Sequence, residues 1–222
     1  MPGFLLLFDL DGTLVDTLPD LHSALNEALR ERGRPPLSPS EVMRMIGDGA
    51  AALVARALEA SGLDGREAAS VLPRFLELYE ARSTRLSRPY PHVRDTLEAL
   101  RSRGYATAVC TNKPQRAAEA VLSNLKLAQF FDAVAGGDRF PEKKPDPRHL
   151  LRVVALLGAE ARRAAMVGDN ENDASAARAA GFPVLLMRYG YAQTDPETLG
   201  ADALLDEFAD LPGALERLRL GP

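Results

Sequence analysis

Two carboxylates set two residues apart, Asp9 and Asp11, follow directly on the apolar run Phe4-Leu5-Leu6-Leu7-Phe8, and Gly12-Thr13-Leu14 continues the segment. An apolar run without alternation suits a central strand of a parallel sheet covered on both faces, and ligands of such sheets bind beyond the strands' carboxyl ends. Side chains at i and i+2 share one face of an extended chain, and Gly12 permits the turn that lets backbone approach a ligand. The pair therefore has the layout of a nucleophile beside a proton donor. Asp-Gly is also a frequent turn dipeptide, so the segment alone stays open to a turn-and-cap reading.

Three later segments narrow the choice, and each falls where a predicted strand ends. Thr111-Asn112-Lys113 brings a hydroxyl, an amide and free main-chain N–H groups to the sheet edge, an anion seat or a plain helix cap. Lys144-Pro145-Asp146-Pro147 offers an ammonium on a stiffened loop; neighbouring Lys143 makes the register ambiguous, and Lys144 is preferred because it directly precedes the Pro-x-Pro. Lysine occurs elsewhere only at Lys126, in a chain whose positive charge is otherwise arginine. A compact ammonium suits one crowded anion. Finally, Val167-Gly168-Asp169-Asn170-Glu171-Asn172-Asp173 carries two acids four residues apart, on one face if the turn leads into a helix.

Asp9, Asp169 and Asp173 together form a set of like charges that repel unless a cation sits among them. Oxygen-only ligands and a phosphate partner favour Mg²⁺ over zinc, for which no His/Cys set exists. A carboxylate nucleophile, a neighbouring acid/base, an anion seat, a fixed ammonium and a metal-binding acid pair sum to phosphoryl transfer, where positioning and charge neutralisation supply most of the rate.

The remaining sequence constrains what must position these groups. At 222 residues with 46% apolar content, the chain can form one large α/β domain or a core with a modest insert. A net charge of −4 with interspersed signs argues against nucleic acid or a membrane surface and for a small-molecule partner, leaving monomer and homodimer both open. The N-terminal apolar run is too short and lacks the basic start of a signal peptide, no stretch approaches a membrane span, and Cys110 is the single cysteine. These features fit a reducing cytoplasm.

Helical periodicity covers residues 17–87. Thr17-Leu18-Pro19-Asp20 has the form of a capping box opening a helix over 18–32, and Ser38-Pro39-Ser40-Glu41 opens a second that ends near Gly47. Further helices are predicted over 50–60 and 66–82, with Pro73 a kink or a new start. After Arg88-Pro89-Tyr90-Pro91, predicted strands at 105–110, 133–135, 164–167 and 184–187 alternate with helices. Repeated β-α units imply a doubly wound parallel sheet. The predicted organisation is an α/β core of residues 1–16 and 88–222 with a helical cap, residues 17–87, inserted after the first strand.

Taken as a set, Asp-x-Asp-Gly-Thr, Thr-Asn-Lys, Lys-Pro and Gly-Asp-x-x-x-Asp resemble the four signature segments of the haloacid dehalogenase-like hydrolase superfamily, in order and over nearly the whole chain. The resemblance implies a Rossmann-like core, with Asp9 attacking phosphorus to give an aspartyl-phosphate and Asp11 protonating the leaving oxygen, then deprotonating water. It further implies Gly12, Thr111, Asn112 and Lys144 as the phosphate-binding set, and Mg²⁺ held by Asp9, the Asp11 carbonyl and Asp169. Asp173 would ligate through water or steady Lys144. The superfamily's phosphatases keep an acid at the position of Asp11, whereas its dehalogenases do not. The cap resembles the helical lid of the phosphatases whose insert follows the first signature.

Asp16 to Leu21, Ile46-Gly47-Asp48-Gly49-Ala50, and Arg188-Tyr189-Gly190-Tyr191 followed by Gly200-Ala201-Asp202 resemble the phosphoglycolate phosphatase subgroup. The implied activity is hydrolysis of a small phosphate ester, 2-phosphoglycolate leading. The alternatives of the same fold are a β-phosphoglucomutase-like mutase, a pyrophosphatase or a sugar phosphatase. A non-catalytic binder has no need of so repelling an acid set. His22, His92 and His149 read as surface or helix residues, Tyr191 as core packing or pocket wall, and Asp48 as a hinge turn or substrate contact.

Overall fold

The computed structural model describes residues 3–82, 84–159 and 163–222. Ser83 of the expected cap, and residues 1–2 and 160–162 of the expected core, lie outside them.

The apolar run after Gly3 becomes β1 (Leu5–Phe8), every residue of it buried. Because successive side chains point to opposite faces, Leu6 and Phe8 enter one hydrophobic cluster while Leu5 and Leu7 enter another. One strand thus anchors both layers of the core. It pairs in parallel with β4 (Ala106–Cys110) on one side and β6 (Ala164–Gly168) on the other, Leu7 lying opposite both Ala108 and Met166. With β5 (Ala133–Ala135), β7 (Val184–Met187) and β8 (Ala203–Leu205), the sheet order is β5-β4-β1-β6-β7-β8. Numbered along the chain, those strands run 3-2-1-4-5-6, the doubly wound Rossmann-like order.

Helices α5 (Val93–Ser102), α6 (Gln115–Asn124) and α9 (Leu211–Arg217) pack apolar residues on the Phe8 face. The opposite face receives α7 (Pro147–Leu156) and α8 (Glu171–Ala180). A third cluster joins α1 (Leu18–Arg30), α2 (Pro39–Met43), α3 (Ala50–Ala60) and α4 (Ala68–Glu80), with Ala117 and Tyr191 of the sheet layer packed against it. The chain enters this helical layer through β2 (Val15–Asp16) and leaves it through β3 (Arg88–Pro89), which pair antiparallel. No helix among the described residues is long and apolar enough to cross a membrane.

Several local expectations are corrected. The box predicted at Thr17 and Asp20 does not form, since the Thr17 side chain makes no cap hydrogen bond. Its hydroxyl instead donates to Asp11 Oδ1 at 2.7 Å, and Asp20 accepts from the returning chain at Leu86 and Ser87. The box at Ser38 and Glu41 does form. Helix α1 stops two residues early and α2 ends at Met43; Pro73 lies inside a continuous α4, preceded by a 3₁₀ turn over Gly65–Glu67. Neither β8 nor the β2–β3 ribbon is legible in apolar periodicity, being three and two residues long. Asp202 secures β8: its N–H donates to the Val184 carbonyl and its Oδ2 accepts from the Val184 N–H, both at 2.8 Å.

Candidate active site

The carboxyl ends of β1, β4 and β6 lie side by side, Phe8 in register with both Val109 and Val167. The residues just past those ends, Asp9, Thr111 and Asp169, are thereby delivered to one edge, at the point where the strand order reverses. Asp9 is tied there by its N–H to the Val167 carbonyl at 2.9 Å, and its Oδ1 accepts from the Leu10 N–H at 2.7 Å.

Of the two adjacent lysines, Lys144 turns inward. Its ammonium, 1% exposed, lies 3.1 Å from Asp9 Oδ2 and 2.6 Å from Asp173 Oδ1. Lys143 turns the other way and donates to the Asp48 carbonyl at 2.6 Å. The second oxygen of Asp173 accepts from the N–H groups of Asp169 and Asn170, so this side chain braces both Lys144 and the loop after β6. Asp169 in turn accepts from the Thr13 hydroxyl at 2.6 Å and the Tyr191 N–H at 2.7 Å.

Carboxylate oxygens of Asp9, Asp169 and Asp173, all three buried, lie within 4.8 Å of one another. Burial pushes the Asp9 carboxyl up to about 6, with Lys144 pulling the other way and Asp173 adding to the rise. Burial also raises Asp169 well above the carboxylate range, reinforced by Asp173 and then Asp9. Burial disfavours charge on Lys144, but Asp173 and Asp9 outweigh it and hold the ammonium above its usual range. Three carboxylates face one ammonium, a surplus of negative charge in oxygen donors only. That donor set fits a hard divalent cation. Room for it depends on Gly12, whose φ is +84° and whose missing Cβ would stand 2.5 Å from Asp169 Oδ2.

The Asp11 side chain points away from that acid set. It accepts from Lys113 Nζ at 3.0 and 3.1 Å and from Thr17. The Asn112 side-chain amide is likewise engaged, donating to the carbonyls of Gly47 and Lys144 at 2.9 and 2.8 Å.

The edge opens into a narrow cleft between sheet and helical layer. Asp9, Asp11, Thr111 and Lys113 line it from below, and Leu21, Leu53, Phe75 and Tyr79 roof it. The helical layer is docked: Asn172 donates to Asp48 Oδ1 at 2.8 Å, and Asp48 also pairs with Arg56. Asp48 thus serves the loop that meets the core. Tyr191, read from sequence as packing or wall, is buried in the third cluster and also ties the hinge: its hydroxyl donates to Asp16 at 2.6 Å and accepts from the N–H groups of Thr17 and Leu18.

Local patterning does not single out Lys113, Thr13 or Thr17 for the site: Thr13 and Lys113 are marked only by lying inside signature segments, and Thr17 has the form of a helix cap. His149 does lie on a helix, α7, but is buried against Phe140, its imidazole lowered to about 4 by burial and by Lys144. Burial pushes the Cys110 thiol up to about 12, which leaves it unreactive.

Sheet order, the acid cluster at its switch point and a helical roof define a doubly wound α/β hydrolase. The chain belongs to the haloacid dehalogenase-like hydrolase family, whose model matches residues 6–187. It is 44% identical to the phosphoglycolate phosphatase of Caulobacter vibrioides over 96% of this chain and 90% of that protein. Identity to the plasmid-borne phosphoglycolate phosphatase of Cupriavidus necator is 42%, over 100% and 97%. Among solved structures, a predicted phosphoglycolate phosphatase from Haemophilus somnus 129pt superposes with a TM-score of 0.90 at 35% identity, covering 95% of this chain and 96% of that one. CbbY from Rhodobacter sphaeroides, solved with phosphate, gives 0.83 at 26%, covering 96% and 99%.

Proposed function

We propose that this enzyme is a Mg²⁺-dependent cytoplasmic phosphatase acting on a small phosphorylated metabolite, 2-phosphoglycolate, to release glycolate and phosphate. The observation that carries the reading is Lys144 held between Asp9 and Asp173 at the edge of a roofed cleft. An ammonium so placed neutralises a phosphoryl group while it aligns the attacking carboxylate.

In this reading an Asp9 oxygen attacks phosphorus and the ester P–O bond breaks. Asp11 donates a proton to the leaving oxygen, and an aspartyl-phosphate remains. Water then attacks that phosphorus, Asp11 takes its proton, and Asp9 is regenerated. The Thr111 hydroxyl, the main-chain N–H of Asn112 and the backbone at Gly12 cradle the phosphoryl oxygens, and Lys144 offsets their charge. Asp9, the Asp11 carbonyl and Asp169 are the residues that would hold Mg²⁺, with Asp173 steadying Lys144. Bound there, the ion would supply further charge stabilisation to the transferring group. We assign residues 17–87 to a cap whose Leu53, Phe75 and Tyr79 exclude water from the reaction.

Free-phosphate release from 2-phosphoglycolate beside glucose phosphates, pyrophosphate and p-nitrophenyl phosphate, with and without Mg²⁺, tests this. The expected result is metal-dependent release strongest with 2-phosphoglycolate. Isomerised sugar phosphate with little free phosphate would replace the reading with that of a mutase.

A further inference from the structure

Two buried ammonium groups contact the aspartates of the first segment, and only one is explained by the phosphoryl group. Lys144 is enclosed by Asp9 and Asp173. Among the described residues, Lys113 is the one cationic residue lining the cleft itself, beneath a roof of Leu21, Leu53, Phe75 and Leu76. Its side chain is 3% exposed, with Nζ against Asp11 on one side and 4.5 Å from the Tyr79 ring centroid on another.

We propose that Lys113 selects substrates whose leaving group carries a carboxylate, by receiving that carboxylate beside Asp11. The inference rests on the phosphatase reading above and assigns the recognition of its substrate to one residue. An ammonium has three N–H donors, and Lys144 shows within this same site that one lysine serves two carboxylates. Asp11 does not depend on Lys113 alone, because Thr17 Oγ1 holds it at 2.7 Å. Lys113 can therefore turn one donor to a ligand without setting Asp11 loose. It stands two residues beyond Thr111, a span of at most about 7 Å of chain. A phosphoryl group seated at Thr111 and a carboxylate one carbon past the ester oxygen thus come within reach of one loop. The Tyr79 ring faces the ammonium from α4 and helps hold it in the cleft. A neutral leaving group offers that donor no carboxylate, the arrangement that discriminates against it.

The test compares kcat/KM for 2-phosphoglycolate and for ethyl phosphate, which has the same two-carbon length and no carboxylate, in the Mg²⁺-loaded enzyme and its Lys113→Met variant. Inhibition by inorganic phosphate reports whether the phosphoryl seat is intact. The expected result is a wild-type preference for 2-phosphoglycolate that collapses by about 10- to 100-fold in the variant, chiefly through KM, with phosphate inhibition retained. Equal losses on both esters would make Lys113 a positioning residue for Asp11 and overturn the proposal. A wild-type preference for another carboxylate ester, such as 3-phosphoglycerate, with the same collapse supports Lys113 while replacing the substrate. A wild type indifferent to the carboxylate overturns both. Lys113→Gln carries the same comparison if the methionine variant does not fold.

Discussion

Ser87 donates both its hydroxyl and its N–H to one oxygen of Asp20, at 2.6 and 2.8 Å, across 67 residues of chain. The bond joins the first turn of α1 to the strand that returns from the helical layer, so the two crossings share one buried anchor. Asp20→Ala leaves these donors and the Leu86 N–H without their acceptor, at an expected cost of about 2–3 kcal/mol. Urea unfolding measures it, and a change below about 0.5 kcal/mol would remove Asp20 from this role.

Asp9→Asn is expected to lower kcat by about 10³-fold or more, because the amide cannot form the covalent intermediate. It also removes one of three buried like charges, so the metal-free variant should melt no lower than wild type. Phosphate release and a thermal melt check the two halves separately. Retained turnover would refute the nucleophile.

Metal-free protein should lose stability as pH rises from about 4 to 6. Asp9 titrates at about 6 when folded, against 3.8 unfolded, so within that window the folded chain holds a proton the unfolded chain has lost. Stability therefore falls with increasing pH, and the burial that raises Asp169 acts in the same direction. Saturating Mg²⁺ should flatten the profile by binding the ionised carboxylates of the native state alone. Melting temperatures between pH 4 and 8, with and without the ion, decide it; an upward slope in the metal-free protein would contradict the sign.

A methyl group at Gly190 would stand 2.1 Å from the Asp169 Cβ. Gly190→Ala must therefore displace the carboxylate assigned to the metal while changing no charged group. The expected effect is a rise of about 10-fold or more in the Mg²⁺ concentration giving half-maximal activity. An unchanged metal requirement would take Asp169 out of the metal site.

Local patterning in the chain specifies the central strand, the alternation of strand and helix after residue 88, and the segments that fall at strand ends. Apolar runs, helical periodicity and turn residues report on neighbours within a few positions, and these features need nothing more. It also determined that Asp9 and Asp169 follow strands, and strand ends in a parallel sheet converge on one edge whatever the loops do.

Which atoms meet is settled by packing between distant segments. Thr17 and Asp20 spell a capping box, yet each finds a better partner in another segment: the Asp11 carboxylate for one, the returning chain for the other. Lys143 and Lys144 are the same residue type on one loop, and the positions of Asp48 and Asp173, more than 25 residues away on either side, separate an outward contact from an inward one. Lys113 acquires its pairing with Asp11 and its contact with Tyr79 from three separate elements. A buried charge is satisfied by whatever the fold carries to it, and that is a property of packing across the chain, which no local window contains.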